Sequence, residues 1–325
     1  MHTSILGALC SAFAAWALLF MLLKSGLAWR IAVDNPNQRS LHTAPVPRIG
    51  GLVVVGIALL AMSIAARSMQ VMTVTAVGLM LISAVDDRRG LSVSSRLVTQ
   101  LIAATVGAYT LLPAAPWWLY PLIVVAVVWS MNLYNFMDGA DGLAGGMAVF
   151  GFGALAIAAE SAGGHEVAVA CACIAGAAGG FLFHNFPPAK IFLGDAGSVP
   201  LGFLAATIGV AGWKQGIWPP WFPILVFSPF IVDATVTVVR RGLSGRRIWQ
   251  AHREHLYQRM ATGRLGHTRT AVVWYGLMVI VGVSAIAAVR WPIRWQIGLL
   301  IAWLALYAAL YALISRFIAS AKNEA

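Results

Sequence analysis

The chain is divided by a succession of apolar runs, each close to the length that carries a helix through a bilayer. A hydrocarbon layer about 30 Å thick takes roughly 20 predominantly apolar residues per helix. Eleven stretches approach that length: Ser4–Leu23, Ile49–Ala66, Val71–Val85, Leu97–Leu112, Trp118–Leu133, Ala144–Ala159, Val167–His184, Val199–Gly212, Trp221–Val239, Ala271–Val289 and Trp295–Phe317. Lipid offers backbone amides and carbonyls no partners, so stretches like these satisfy their own hydrogen bonds as α-helices. Of the 325 residues, 60% are hydrophobic and 10% charged, whereas a soluble domain carries about a quarter charged residues. The expected fold is all-α, a polytopic transmembrane bundle of about 10–11 spans, built as one membrane domain from residues 1–325.

Lys and Arg fall unevenly between the runs. Lys24, Arg30, Arg39, Arg48, Arg88, Arg89, Arg96, Lys190, the eight arginines from Arg240 to Arg269, Arg316 and Lys322 occupy one set of connections. Only Arg67, Lys214, Arg290 and Arg294 occupy the other. Eighteen against four puts the first set in the cytoplasm, the N-terminus outside and the C-terminus inside. The net charge of +11 therefore reflects membrane topology. A nucleic-acid binder would gather its basic residues on a soluble module instead. No Lys or Arg precedes the first apolar run, so Leu6 to Leu23 is expected as a retained span rather than a cleaved signal peptide. Cys10, Cys171 and Cys173 lie inside apolar runs and make neither a disulfide framework nor a zinc pattern.

The outer connections are short, and the inner ones are long and polar. Five inner segments carry chemistry. The first, Asp34 to His42 with Pro45, Pro47, Arg48, Gly50 and Gly51 after it, has the composition of a turn-rich connector. The second, Asp86-Asp87-Arg88-Arg89, closes a span. Adjacent carboxylates at a membrane boundary, where a helix C-terminus also disfavours anions, need cations nearby: a metal, or Arg88 and Arg89. The third spaces Asn132, Asn135, Asp138 and Asp141 by threes, on one face if the helix continues; Gly139 and Gly142 allow an unwound turn instead. Its oxygen ligands suit Mg²⁺ before Zn²⁺, and a polar loop with Asx turns is the plainer alternative.

The fourth segment, Asn185 to Ser198, sets Lys190, Phe192 and Asp195 in a loop before a span. Amides at the start of that helix suit an anion, Asp195 suits a phosphate-borne metal, and Asp195 or Ser198 equally suits a cap for a helix from Val199. The fifth, Arg240 to Thr270, holds eight arginines with His252, His255, His267, Tyr257 and Gln258. Arginine forks suit phosphates, while anionic lipid heads account for the charge about as well. His252 and His255 alone make a weak zinc pattern. Carboxylates beside Arg, Lys, Asn and His donors on one membrane face are what metal-assisted chemistry on a pyrophosphate needs, and the membrane setting suggests a lipid substrate.

At these segments the chain resembles the polyprenyl-phosphate N-acetylhexosamine-1-phosphate transferases. The likeness rests on Asp86-Asp87, on Asn132-x-x-Asn135-x-x-Asp138-Gly-x-Asp141-Gly, on Asn185-x-x-Pro188-Ala-Lys190-x-Phe192-x-Gly194-Asp195-x-Gly197-Ser198 and on the His-containing last loop, in that order between spans. It implies transfer of a sugar-1-phosphate from a UDP-N-acetylhexosamine to undecaprenyl phosphate, with UMP leaving and Mg²⁺ or Mn²⁺ required. It implies a bacterial inner-membrane enzyme with a cytoplasmic active site, among membrane lipids, with a homodimer as a further expectation.

By motif position, the resemblance gives catalytic roles to Asp86, Asp87, Asp195, His252, Arg253 and His255. It makes Asp195 the principal metal ligand, with Asp138 and Asp141. Asn132, Asn135, Asp138, Asp141, Asn185, Lys190, Phe192 and Arg48 would bind substrate, Phe192 by stacking on uracil. Two departures qualify it. Relatives often carry Asp-Asp-x-x-Lys, but Gly90 follows Arg89 here. The phospho-MurNAc-pentapeptide branch usually has three consecutive histidines where this chain has His252-Arg253-Glu254-His255. The branch that starts O-antigen or related surface polysaccharides is therefore the closer expectation, with the peptidoglycan branch as its alternative. A membrane transporter is the rival of another class, and would show more polar or broken helix at mid-span.

Overall fold

A computed structural model describes residues 1–36, 41–247 and 252–323, with 317–323 by backbone alone. Arg39 and the side chain of Lys322, two of the inner basic residues, lie outside the described set. The helices are α1 (His2–Lys24), α2 (Ala28–Ile31), α3 (Gly50–Ala65), α4 (Gln70–Arg89), α5 (Val93–Leu111), α6 (Leu119–Phe136), α7 (Leu143–Met147) and α8 (Gly153–Ser161). They continue with α9 (His165–Asn185), α10 (Asp195–Lys214), α11 (Trp221–Val226), α12 (Ser228–Leu243), α13 (Leu256–Thr262), α14 (Gly266–Ala288) and α15 (Ile293–Asn323). A π-helical turn at Ala148–Phe152 joins α7 to α8 as one rod.

All eleven expected stretches are helical, and among the described residues eight helices are long and apolar enough to cross a membrane. The protein is an all-α, multi-pass membrane protein. The other three stretches fall short for separate reasons. Helix α3 has 16 residues, α5 is diluted by Ser94, Ser95, Arg96, Thr99 and Gln100, and α11 and α12 are interrupted at Phe227. Helix α10 is 83% buried across its apolar window, against 17% for α1 and 11% for α15. It forms the centre, with α3, α4, α5 and α6 packed around it. Leu60, Ile64, Val74, Val125 and Leu304 are exposed on the outside of the bundle, a surface that suits lipid rather than water.

Local chemistry sets the helix ends that matter. Gly90, at φ 68°, closes α4 with its amide on the Asp86 carbonyl at 2.8 Å. Ser92 then opens α5, its Oγ accepting the Ser95 amide at 3.1 Å, an ordinary side-chain cap. Helix α6 stops at Phe136, so Asp138 and Asp141 sit in a turn rather than extending the face of Asn132 and Asn135. Helix α10 starts at Asp195, one turn earlier than expected, and no side chain of its own caps it.

Candidate active site

A short antiparallel ladder pairs Val33 with Pro47 and Asp34 with Val46. The chain then zips onto the segment before α10. The Phe192 amide donates to the Pro47 carbonyl (2.8 Å), Gly50 to the Phe192 carbonyl (2.9 Å) and Gly51 to the Leu193 carbonyl (2.8 Å). Gly51 has to be glycine, since a Cβ there would lie 2.2 Å from the Gly197 nitrogen. This pairing carries Arg48 to the start of α10. Its Nη2 donates to Asp195 Oδ1 at 2.5 Å, and its Nε lies 3.2 Å from Asp87 Oδ1.

Asp87 also supplies the cap that α10 lacks. Its Oδ1 and Oδ2 accept the Asp195 and Ala196 amides, both at 3.0 Å. The helix start foreseen as an anion site therefore already holds an anion, from α4. Asp138 Oδ2 accepts the Gly194 amide at 3.2 Å. Gly194 takes φ 76°, and a Cβ on it would meet Asp87 Oδ2 at 2.8 Å. Asp86 belongs to a neighbouring pair. It accepts the Leu91 amide at 2.5 Å and faces Arg96 Nε at 3.6 Å, while Arg96 Nη1 lies 3.9 Å from Asp195 Oδ2. The cations for the adjacent aspartates are thus Arg48 and Arg96. Arg88 donates away from them, to the Ile31 carbonyl at 2.8 Å.

Burial works against the Arg48 charge, and Asp195, Asp87, Asp34 and Asp138 outweigh it, raising its pKa. Desolvation holds the Asp138 carboxyl well above the usual carboxylate range; Arg48 opposes the shift, and Asp195 and Asp87 add to it. A group with those neighbours favours added positive charge.

Beside this cluster lies a cavity of about 240 Å³, and Arg48, Asp138, Asp141, Asn185, Phe192 and Gly194 are in its wall. The structure adds Asp34, His42, Gln258 and His267, to which the sequence reading gave no role. The His42 ring meets Phe192 edge-on at 4.8 Å, and its Nε2 lies 3.8 Å from Asp34 Oδ2. Asp141 accepts the Ala189 amide at 3.0 Å and faces His267 Nδ1 at 3.5 Å. Asn185 is a clamp: it accepts the Gly142 amide at 2.9 Å and donates to the Ile191 carbonyl at 2.8 Å. Asn132 and Asn135 turn to their own partners, Gln100 at 2.7 Å and Ser198 at 3.2 Å. Lys190 is exposed and outside the cavity wall.

The last inner loop is built differently from the expectation. His255 is buried and stacks on Phe136 (6.0 Å between centroids) and Tyr257 (5.9 Å). It stands at the N-cap of α13, 3.7 Å from Asp233 Oδ1. Asp233, in α12, is 2% exposed and accepts the Leu256 and Tyr257 amides at 2.7 and 3.0 Å. Tyr257 Oη donates to the Phe136 carbonyl at 2.8 Å, joining α13 to the turn that holds Asp138. His252, packed on His255 at 4.9 Å, is pushed down to about 4 by burial, His255 and Arg241. Arg240, Arg241 and Arg246 all converge on Glu254. Among the described residues of this loop, His252, Arg253 and His255 are not in the cavity wall, whereas Gln258 and His267 are.

Among the described residues, no three Asp, Glu, His or Cys side chains gather as a metal cluster. Asp141, expected with Asp138 and Asp195, is held by Ala189 and His267 instead. The remaining set, Asp195 with Asp138 and Asp87 beside it, offers oxygen donors only. It fits Mg²⁺ bound by one or two carboxylates and completed by substrate phosphates, the usual arrangement for that ion, rather than an all-protein cage.

The sequence profile of Glycosyl transferase family 4 matches residues 69–212, from the start of α4 to the end of α10. The chain is 31% identical over 294 residues to a Bacillus subtilis protein named "Probable undecaprenyl-phosphate N-acetylglucosaminyl 1-phosphate transferase", covering 83% of this chain and 82% of the relative. It is 31% identical to the decaprenyl-phosphate N-acetylglucosaminephosphotransferase of Mycobacterium tuberculosis, over 78% and 76% of the two chains. It is 28% identical to the phospho-N-acetylmuramoyl-pentapeptide-transferase of Halalkalibacterium halodurans, over 83% and 90%.

Proposed function

Because the chain belongs to glycosyl transferase family 4, as one of its polyprenyl-phosphate N-acetylhexosamine-1-phosphate transferases, we propose that it transfers an N-acetylhexosamine-1-phosphate from a UDP-linked donor to undecaprenyl phosphate. UMP leaves, and an undecaprenyl-pyrophosphoryl sugar remains. The pathway is the first membrane step of O-antigen or another surface polysaccharide, in a bacterial inner membrane with the site facing the cytoplasm. The Lys and Arg bias supports that orientation. The absence of three consecutive histidines in the last loop favours this branch over the peptidoglycan one.

One observation carries the reading: Arg48 bridges Asp87 and Asp195 at the edge of a cavity that also holds Phe192, Asp138 and Asp141. An oxygen of the acceptor phosphate attacks the donor phosphorus that bears the sugar, and the bond to the UMP oxygen breaks. The acceptor is a phosphate monoester, already largely ionised at pH 7, so a strong general base is dispensable. Arg48 and Arg96 take up the charge that develops on the transferring phosphate. Asp195 and Asp138 would hold Mg²⁺, which when bound neutralises phosphate oxygens. Phe192 offers a face to the base, steadied by His42.

The test is UMP release by purified protein given undecaprenyl phosphate, Mg²⁺ and a panel of UDP-N-acetylhexosamines, beside Asp195→Asn. Lipid-dependent UMP from one donor, lost with EDTA and in the variant, establishes the reaction and names the sugar. A folded protein that releases UMP from no donor overturns it.

A further inference from the structure

Helix α13 presents Gln258 to the carboxylate cavity, and the way the helix is seated fixes which end of that side chain faces a substrate. Asp233 accepts the Leu256 amide on Oδ1 and the Tyr257 amide on Oδ2. The Tyr257 hydroxyl donates to the Phe136 carbonyl. Tyr257 is fully buried, and Gly139 leaves it room, since a Cβ there would lie 2.3 Å from the hydroxyl oxygen. Gln258 follows at the third position of the helix and shares the cavity wall with Asp138 and Gly139.

A side-chain amide has an acceptor end and a donor end. At Gln258 the acceptor end is taken: Oε1 accepts the His255 backbone amide at 3.4 Å, the glutamine half of a capping box. The donor end, Nε2, is thereby turned to Gly139, where an added Cβ would lie 3.3 Å from it. One of its two N–H groups goes to the Tyr257 hydroxyl, which leaves the other for the cavity. Asn185, the other side-chain amide in the wall among the described residues, has both ends engaged, on Gly142 and Ile191. Gln258 is also uncharged, unlike Arg48 and Arg96, so it suits a neutral oxygen better than a phosphate.

We propose that Gln258 is a specificity-determining residue whose free N–H donates to an oxygen of the donor's sugar. The inference rests on the transferase reading above. Under that reading the phosphates lie with Arg48, Arg96 and Asp195 and the base with Phe192, so the sugar is the part of the donor still without a partner. It hangs from the phosphate beside Asp138, and Gly139, on which Gln258 Nε2 packs, is the next residue in the chain. A donor whose sugar has no oxygen at that point leaves the N–H unpaired, the penalty by which a hydrogen-bonding site rejects analogues. The His255 amide and the Asp233 seat hold the glutamine in place before substrate arrives, so little ordering opposes binding.

Calorimetric affinities of the purified full chain for UDP and for the UDP-sugar that supports UMP release test this, in the wild type, Gln258→Glu and Gln258→Met. Glutamate is the other residue of the capping box, so Gln258→Glu keeps the acceptor and the helix seat while removing both N–H groups. Its added charge alone would weaken UDP more than the UDP-sugar, because free UDP ends in a more highly charged phosphate monoester. The opposite order is expected. The UDP-sugar should weaken roughly tenfold more than UDP, the weight of one hydrogen bond lost with its partner left unmet. Gln258→Met is neutral and of similar length, and should show the same selective loss together with a lower melting temperature from the broken capping box. A loss no greater for the UDP-sugar than for UDP in Gln258→Met overturns the proposal; should that variant not fold, the same result in Gln258→Glu does so. UMP release by the wild type beside such unselective variants removes only the role of Gln258. A folded wild type that binds no UDP-sugar and releases no UMP removes the transferase reading, and this one with it.

Discussion

Asp87, on the last turn of α4, caps the helix that begins at Asp195: its Oδ1 accepts the Asp195 backbone amide at 3.0 Å. A carboxylate at a helix N-terminus is favoured by the dipole and by the free amides it satisfies. The two adjacent aspartates are therefore unlike. Asp87 ties α4 to α10, while Asp86 accepts from the turn after α4 and pairs with Arg96. Asp87→Ala is expected to lose about 1–2 kcal/mol of stability through the cap alone, along with transfer activity. Asp87→Asn keeps one acceptor and should lose less stability. Thermal unfolding in detergent compares them, and an unchanged midpoint for Asp87→Ala would refute the capping role.

Arg48 has the opposite character, a cation held among Asp87, Asp138 and Asp195. Truncating one partner of a buried pair leaves charge uncompensated, at about 3 kcal/mol. Arg48→Ala should therefore be destabilised and inactive. It should also bind Mn²⁺ more tightly than the wild type when no substrate is present, because the carboxylates then lack their internal cation. Spin-resonance titration of free Mn²⁺ measures this; weaker binding in the variant would contradict the arrangement.

Gly51 bears no functional group, yet it fixes where Arg48 meets Asp195. With the Gly197 nitrogen 2.2 Å from where its Cβ would be, Gly51→Ala forces α3 and α10 apart. Overpacking of this kind costs about 1–3 kcal/mol, and the Arg48–Asp195 contact moves with it. Activity should fall far more than in Gly56→Ala on the same helix, where a Cβ meets nothing within 4 Å. Comparable activities in the two variants would rule the idea out.

Phe192 is half-buried beside His42 and lines the cavity. If its ring stacks on the donor base, Phe192→Ala should raise the donor KM by up to roughly tenfold, the worth of one aromatic contact, with kcat little changed, the pattern of lost uniform binding. A fall in kcat at constant KM would place the ring elsewhere.

His252 gives a pH signature outside the cavity. Its folded pKa is about 4, against 6.5 ordinarily. Between those values the unfolded chain takes up a proton that the folded chain excludes, so stability falls as pH drops from about 6.5 towards 4. His252→Gln lacks this loss. The melting temperature of the variant relative to the wild type should rise from pH 7 to pH 5; a constant difference would show that His252 titrates normally.

The apolar runs by themselves determined an all-α membrane bundle, because lipid leaves a spanning backbone no partner but itself. The residue types of the inner loops also determined, by composition, an oxygen-rich, arginine-bearing site. Asp138, Asp141, Asn185, Phe192 and Arg48, which the motif resemblance implied as substrate-binding and composition alone did not single out, line one cavity. Partnership was not legible. That Asp87 caps α10, that Arg48 rather than Arg88 or Arg89 bridges Asp87 and Asp195, and that Asp141 faces His267 all join segments dozens of residues apart. So does the placing of Gln258 and His267 in the wall while His252 and His255 pack behind it. Helical periodicity reports which face a residue is on, over a turn or two. Which faces meet depends on how closely whole helices approach, and only the packing of α3, α4 and α13 around the start of α10 decided that.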